Sequence, residues 1–523
     1  MKKIRNPMTD TSTADSQSTG LAVFGEFAAD GQGSYDNAVQ RFRERNIVLP
    51  TFAQLRNPST IPSSIVDQLS GVEKDAADAR NLFRVHWFNE HADAPGDNFP
   101  GFVDVPTHIE LPSEITGVDA RIVLAFGNRF PMIRAHKVLA AYSTLVARLV
   151  TGRFDPTTNR AIWPSTGNYA RGGIAISRIM DVRGVAILPE GMSRERFEWL
   201  NRWTVNPEED VIKTFGTESN VKEIYDACNE LSLDPTNVIL NQFSEFSNHV
   251  GHYAVTGPSL ETVFNHITKD TGGNLAAYVS ASGSAGTLGA GDYLKDAHGA
   301  KIVAVEALQC PTMLYNGFGE HNIQGIGDKH IPLIHNVTNT DLVVGVSDDS
   351  TNRLDIMFNT PAGKRVLAER GVDPVLVDML VDFGYSSIAN TLGAITAAKA
   401  MNLGSDDVVM SVATDGSDLY NSDRERIMSA YYAGGFEDSD ANAVFEGHLA
   451  GLPTESMEMG DVERNRVFNL GYYTWVEQQG VDIPDFEARR SQKWWGGLRH
   501  LADTWDEMIV GFNEATGASF ARP

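Results

Sequence analysis

The chain has 523 residues, 42% of them hydrophobic and 21% charged, with a formal net charge of −25. That length holds two to four domains with proper cores, and the acidic balance excludes nucleic acid and anionic membranes as main partners. No run approaches the roughly 20 unbroken apolar residues of a membrane helix. Only two cysteines occur, Cys228 and Cys310, which excludes a disulfide framework and points to a reducing cytoplasm.

In chain order, residues 1–20 carry Lys2, Lys3 and Arg5 with no apolar run behind them. They read as a polar, disordered tail and not as a secretory signal. Residues 1–105 as a whole read as an N-terminal extension, with helical stretches expected over 37–45 and 65–84. From about Ile109 short apolar runs alternate with amphipathic helices, the pattern of a parallel sheet covered on both faces. The expected division is a smaller α/β domain over 106–245, a larger one over 246–425 and a helical C-terminal extension over 426–523. The extension carries Trp475, Trp494, Trp495 and Trp505 among polar residues.

Four local features stand out in the α/β region. Lys137 opens a helix whose Val138, Leu139, Tyr142, Leu145, Val146 and Leu149 share one face. A lysine there is electrostatically misplaced, because a helix N-terminus favours anions. Such misplacement lowers an amine's pKa and suits a nucleophile or base; the plain alternative is a surface lysine that reaches away into water. Next, Ser165-Thr166-Gly167-Asn168 forms a small-residue turn before a helix, able to hold a carboxylate or phosphate or simply to cap. Asn241-Gln242-Phe243 then places amides at the end of an apolar run, where open parallel sheets bind ligands.

The fourth feature is the stretch 279–295. An expected strand over 275–279 breaks into Gly283-Ser284-Ala285-Gly286-Thr287 and re-emerges as a helix from Leu288. Glycines let the backbone approach an anion, with unsatisfied N–H groups and the positive helix end behind it. A phosphate is expected there. An acidic residue, Glu306, closes the next expected strand over 301–305, which would suit a dinucleotide ribose, but the glycines at 283, 286, 289 and 291 do not give G-x-G-x-x-G. The 13 histidines show no metal-ligand spacing, so His321, His330 and His335 read as ordinary loop residues and no metal site is expected.

Together the order of these pieces, with Val185 to Ser193 reading Val-Ala-Ile-Leu-Pro-Glu-Gly-Met-Ser, resembles the cysteine synthase and cystathionine β-synthase family of pyridoxal-phosphate enzymes. That group also holds the tryptophan synthase β chain. Asn241 to Ser244 followed by Thr256-Gly257-Pro258 is similar to the family's Gln-Phe…Thr-Gly-Pro signature. His321 to Gly327 is similar to its Ile-Gln-Gly-Ile-Gly segment, with Val346-Ser347-Asp348 following. The resemblance covers about residues 106 to 425.

It implies two open, twisted parallel-sheet domains of the fold type II kind, with pyridoxal 5'-phosphate in the crevice between them. By resemblance, Lys137 would hold the cofactor as a Schiff base and move the Cα proton. Gly283, Ser284, Ala285, Gly286 and Thr287 would bind the phosphate, and Asn168 the ring hydroxyl. Ser165, Thr166, Gly167 and Gln242 would grip the substrate carboxylate, and Ser386, with Ser387 as alternate, would face the pyridine nitrogen. The implied activity is β-elimination or β-replacement on a serine- or cysteine-like amino acid through an aminoacrylate, in a cytoplasmic homodimer.

Four positions depart from the family pattern: Val138-Leu139 after the lysine, Ile388 after the serine pair, Ala285 for a loop glycine, and Tyr169-Ala170 after the asparagine. The last is expected to lie where the substrate side chain meets the second substrate, which puts sulfhydrylase activity itself in question. Two other readings stand beside the enzyme: a catalytically silent scaffold or regulator that binds the cofactor, and a nicotinamide-dependent dehydrogenase resting on the loop and Glu306.

Overall fold

A computed structural model of the chain describes residues 26–28, 30–89, 101–453 and 455–519; the expected tail at 1–20 lies outside them. Eleven strands form two sheets among these residues. The smaller sheet is all parallel: β3 (Arg160–Pro164), β4 (Arg183–Pro189), β5 (Val211–Thr214) and β6 (Asn237–Ile239), in the order β5-β4-β3-β6. Ala161, Ile162 and Trp163 in β3 are fully buried, as an apolar run between two helix layers must be.

The larger sheet has the order β1-β2-β10-β7-β8-β9-β11. Its parallel centre is β2 (Arg121–Phe126), β10 (Asp407–Ala413), β7 (Asn274–Ala281), β8 (Lys301–Ala307) and β9 (Leu342–Val346). The edges are antiparallel: β1 (His108–Leu111) on β2 and β11 (Glu455–Glu458) on β9. The two-domain, mixed α/β class is as expected, but one boundary changes. The expected smaller domain begins at 106, whereas β1 and β2 hydrogen-bond into the larger sheet, because β2 pairs with β10 some 280 residues later in the chain (Val408 opposite Arg121). The C-terminal extension is mainly helical, as expected, and adds β11 at the larger sheet's far edge.

The helical stretch expected over 65–84 is two short pieces, Ser63–Leu69 and Ala79–Arg84, parted by a turn at Gly71 with φ +84. By contrast, the helix that Lys137 opens is continuous, Lys137–Val150, and carries the expected apolar face. Every residue of it after Lys137 is buried, because a second helix, Asn168–Ile179, crosses its open side. Gly172 allows that approach: a Cβ there would come within 3.0 Å of the Lys137 carbonyl oxygen and 3.1 Å of the Val138 Cα.

The two terminal extensions clasp each other over this helix. Asn513 accepts the Leu49 N–H at 3.0 Å and donates to its carbonyl at 2.8 Å. The Asp506 carboxylate accepts the Phe52 and Ala53 N–H groups at 2.5 and 2.9 Å, capping the helix Phe52–Arg56. Phe42 meets Phe512 edge-on at 5.3 Å, and Phe52 packs on Trp505 at 5.8 Å and on Tyr142 at 6.2 Å. All four tryptophans of the C-terminal region are buried; their polar neighbours in sequence are the outer faces of helices. Trp505→Ala should cost about 3–5 kcal/mol, measured as a lower urea midpoint, because the indole sits where both extensions and the lysine helix meet.

Candidate functional site

The candidate residues follow the carboxyl ends of strands in both sheets, where open α/β sheets bind ligands. Ser165 follows β3, Glu218 follows β5 and Gln242 follows β6; across the crevice, Gly283 to Thr287 follow β7 and Asp415 follows β10. Lys137 is held between the two units. Its Nζ donates to Ser284 Oγ at 3.1 Å, and the segment before it is pinned by a bridge between Ala135 and Asp415.

Lys137 is half-buried, and loss of water around the ammonium lowers its pKa to about 8, against the opposing pull of Asp328 and Glu218. The depression expected from the sequence is present, with burial as its leading cause. His136, stacked on Trp87 at 5.4 Å, contacts Thr287 Oγ1 at 3.3 Å and is held neutral by burial, its pKa pushed down to about 3.

The loop Gly283 to Thr287 has the geometry of an anion cradle. Gly283, Ser284, Ala285 and Thr287 give their N–H groups to no backbone carbonyl among the described residues, and the helix Leu288–His298 starts directly behind them. A Cβ on Gly283 would meet the Gly325 carbonyl oxygen at 2.6 Å, and one on Gly286 would meet Asn248 Oδ1 at 2.1 Å. Asn248 is a residue the sequence reading missed. It donates to the Gln242 carbonyl at 3.0 Å and to Ser284 Oγ at 3.2 Å, while its buried Oδ1 has no partner. Ala285 sits at φ +65, the left-handed region that favours glycine, so the family's usual glycine has a backbone reason.

Ser165, Thr166 and Gly167 form a turn in which Ser165 Oγ accepts the Gly167 N–H at 2.8 Å. Arg196 is fully buried behind it, within 2.9 Å of where a Gly167 Cβ would stand, and donates to Tyr420 OH at 3.0 Å. Asn168 is clamped at both ends. Its Oδ1 accepts from Arg171 at 2.9 Å and its Nδ2 donates to Asp415 Oδ2 at 2.6 Å. Asp415 also accepts from Tyr420 OH at 2.9 Å. Burial raises the Asp415 pKa above the usual carboxylate range.

Gln242 is buried beside Asn248. Ser386 is buried in the first turn of the helix Tyr385–Ala400, and the Ser387 hydroxyl is committed to the Asp415 carbonyl at 3.2 Å. Of the two serines, Ser386 is therefore the one with a hydroxyl not bonded to that carbonyl.

Two expectations change. Tyr169 does not face a substrate side chain; its ring is buried against Trp163 and its hydroxyl donates to the Leu240 carbonyl at 3.1 Å, inside the smaller domain. Glu306 is not a ribose ligand, because its carboxylate accepts the Met313 and Leu314 N–H groups at 2.9 and 2.8 Å. His321, His330 and His335 are buried and bonded to Gly327 O, Tyr225 OH and Thr340 Oγ1 respectively. Among the described residues no cluster of metal-ligating side chains occurs and no helix is long and apolar enough to cross a membrane.

Residues 112–351 match the family model described as pyridoxal-phosphate dependent enzyme. Over that stretch the chain is similar to pyridoxal-phosphate-dependent enzymes of the cysteine synthase type. It is 29% identical over 240 residues to cysteine synthase B of Campylobacter jejuni, covering 42% of this chain and 76% of that protein. Against cysteine synthase A of Salmonella typhi it is 30% identical over 223 residues, 40% of this chain and 62% of that one. Among solved structures, a hydrogen sulfide-producing enzyme of Fusobacterium nucleatum superposes with a TM-score of 0.51 at 21% identity, covering 67% of this chain and 95% of the other. A cysteine synthase of Entamoeba histolytica gives 0.50 at 20%, covering 65% and 92%; at such identities the likeness is one of fold. The cofactor of the matched family is pyridoxal phosphate, and the unpaired N–H groups of the cradle and the desolvated lysine beside it fit that group. Ala285→Gly should stabilise the cofactor-free protein by about 1 kcal/mol, since left-handed backbone costs a residue with a Cβ that order of energy; chemical denaturation reads it.

Proposed function

We propose that the enzyme eliminates or replaces the β substituent of a serine- or cysteine-like amino acid. The observation that carries this is the contact of Lys137 Nζ with Ser284 Oγ at 3.1 Å, a desolvated amine at the lip of an anion cradle between two sheets. The names of the relatives, cysteine synthases A and B, support the same class.

On this reading Lys137 anchors the cofactor and then carries the Cα proton. Its lowered pKa leaves a usable share of neutral amine near neutral pH, as a general base requires. Gly283 to Thr287 would hold the phosphate through backbone N–H groups, Asn168 would meet the ring hydroxyl, and Ser386 would face the ring nitrogen. Ser165, Thr166, Gly167 and Gln242 grip the substrate carboxylate and turn its Cα–H toward Lys137, an orientation effect that can be large. When bound, pyridoxal phosphate supplies stabilisation of negative charge at the substrate's Cα; the protein supplies position and proton transfer. Two unpaired buried cysteines, Cys228 and Cys310, support a reducing cytoplasmic setting, and the homodimer rests on the resemblance.

The purified protein should show a visible cofactor band that shifts with L-serine, L-cysteine or O-acetyl-L-serine and releases pyruvate or a replacement product. Lys137→Ala should abolish turnover and alter the band. Normal turnover by the variant would refute the assignment of the lysine, and a wild-type protein that binds cofactor but converts no amino acid would favour the silent scaffold.

A further inference from the structure

Two buried carboxylates near Lys137 have no task in the reading above. Glu218, just past β5, is 1% exposed, and Asp328, just past the Ile-Gln-Gly-Ile-Gly segment, is 6% exposed. Each has one oxygen with no hydrogen-bond partner, Glu218 Oε2 and Asp328 Oδ2. They come from opposite sides of the crevice, and Asp328 lies within electrostatic reach of both Glu218 and Lys137. The Glu218 carboxylate accepts from the Thr166 hydroxyl of the smaller domain and from the Gly325 N–H of the larger one. Gly325 lies on the cradle, its carbonyl 2.6 Å from where a Gly283 Cβ would stand. Two residues on, the Gly327 N–H donates to the Ser282 carbonyl at 2.9 Å, which fixes the backbone entering Asp328. The charged and titratable groups facing the pair are Lys137, Arg196, Tyr225 and Cys310.

A buried polar oxygen without a partner is costly, and two carboxylates sharing one dry site cannot both ionise cheaply. Such a pair keeps a proton, so it has both a donor and an acceptor to offer. Lys137 already has the Cα proton to move. We propose that Glu218 and Asp328 together store the proton for the group at the substrate's β carbon. The preferred substrates are then amino acids whose β substituent is a hydroxyl, thiol or amine. This deepens the β-elimination or β-replacement reading and rests on it.

The Cβ–X bond breaks with its electron pair passing to X, and X takes the stored proton to leave as HX, leaving a carboxylate. In replacement, the incoming H–Nu returns a proton to that carboxylate as the Nu–Cβ bond forms; in elimination, water returns it. Acetate, chloride or phosphate leave as stable anions and need no such proton. A pair of acids also disfavours anionic groups by simple repulsion.

The test compares L-serine and L-cysteine with β-chloro-L-alanine, whose chloride leaves without a proton, in wild type, Glu218→Gln and Asp328→Asn. The ratio of kcat/KM for L-serine to that for β-chloro-L-alanine should fall about 100-fold in either variant, the usual size of a general acid contribution. A ratio that stays within about 3-fold of wild type, whether both activities persist or both collapse, would overturn the proposal. Should a variant fail to fold, the wild type alone decides through pH. Burial raises the Glu218 carboxyl to about 8, so turnover of L-serine should decline above that pH relative to turnover of β-chloro-L-alanine, and parallel profiles would contradict the proton store. Lys137 acts on both substrates alike and cancels in that comparison. In cofactor-free protein, Glu218→Gln should gain stability over wild type as pH rises from 4.5 to about 8, since the folded wild type holds a proton that the unfolded chain gives up. A pH-independent difference would count against the stored proton. A wild type that converts β-chloro-L-alanine but neither natural amino acid overturns the substrate class, while one that converts none of the three refutes the underlying β-elimination reading.

Discussion

An ammonium taken out of water and set at the start of a helix is a poor structural choice unless something uses it. Lys137 loses hydration because the two sheets close around it and because every later residue of the helix it opens is buried. The surrounding crevice is arranged to make that position tolerable. Ser284 accepts from the amine, and Glu218 and Asp328 raise its proton affinity against the stronger effect of burial. The same crowding leaves His136 and His252 neutral beside it.

The rest of the molecule can be understood as holding two sheet ends at a fixed separation. Asn168 and Asp415 bond directly across the crevice at 2.6 Å, and Arg196 reaches Tyr420 from the other domain. Further out, the terminal extensions lock over the helix that begins with Lys137, through Asp506 and Asn513 on one side and Leu49 to Ala53 on the other. Buried polar contacts of this kind are costly when half made, which favours one closed arrangement of the crevice over a loose set.

Much of this was legible in the sequence, and the reason is local. A strand that breaks into Gly-Ser-Ala-Gly-Thr before a helix predicts its own geometry, as does a lysine opening an amphipathic helix. Ala285 shows both the strength and the limit of such reading: its departure from glycine was visible, but the left-handed φ that makes it matter was not. Asn248 stands in a short helix and Glu218, Asp328 and Asp415 on three different loops, and nothing in their neighbours marks them among 68 acidic residues and many amides. They become a site only when the sheets pair. Tyr169 was misread for the converse reason, since adjacency to Asn168 in a helix implies a different direction for its side chain. The placement of β2 and β11 likewise depends on partners, β10 and β9, that lie far away along the chain.

The central claim is that this particular lysine carries the cofactor in the crevice between the sheets. Reduction of the holoenzyme with borohydride, followed by proteolysis and mass mapping, tests it directly. The pyridoxyl group should be found on the peptide bearing Lys137, in close to one equivalent per chain. Label on any other lysine, or cofactor released intact after reduction, would contradict the account.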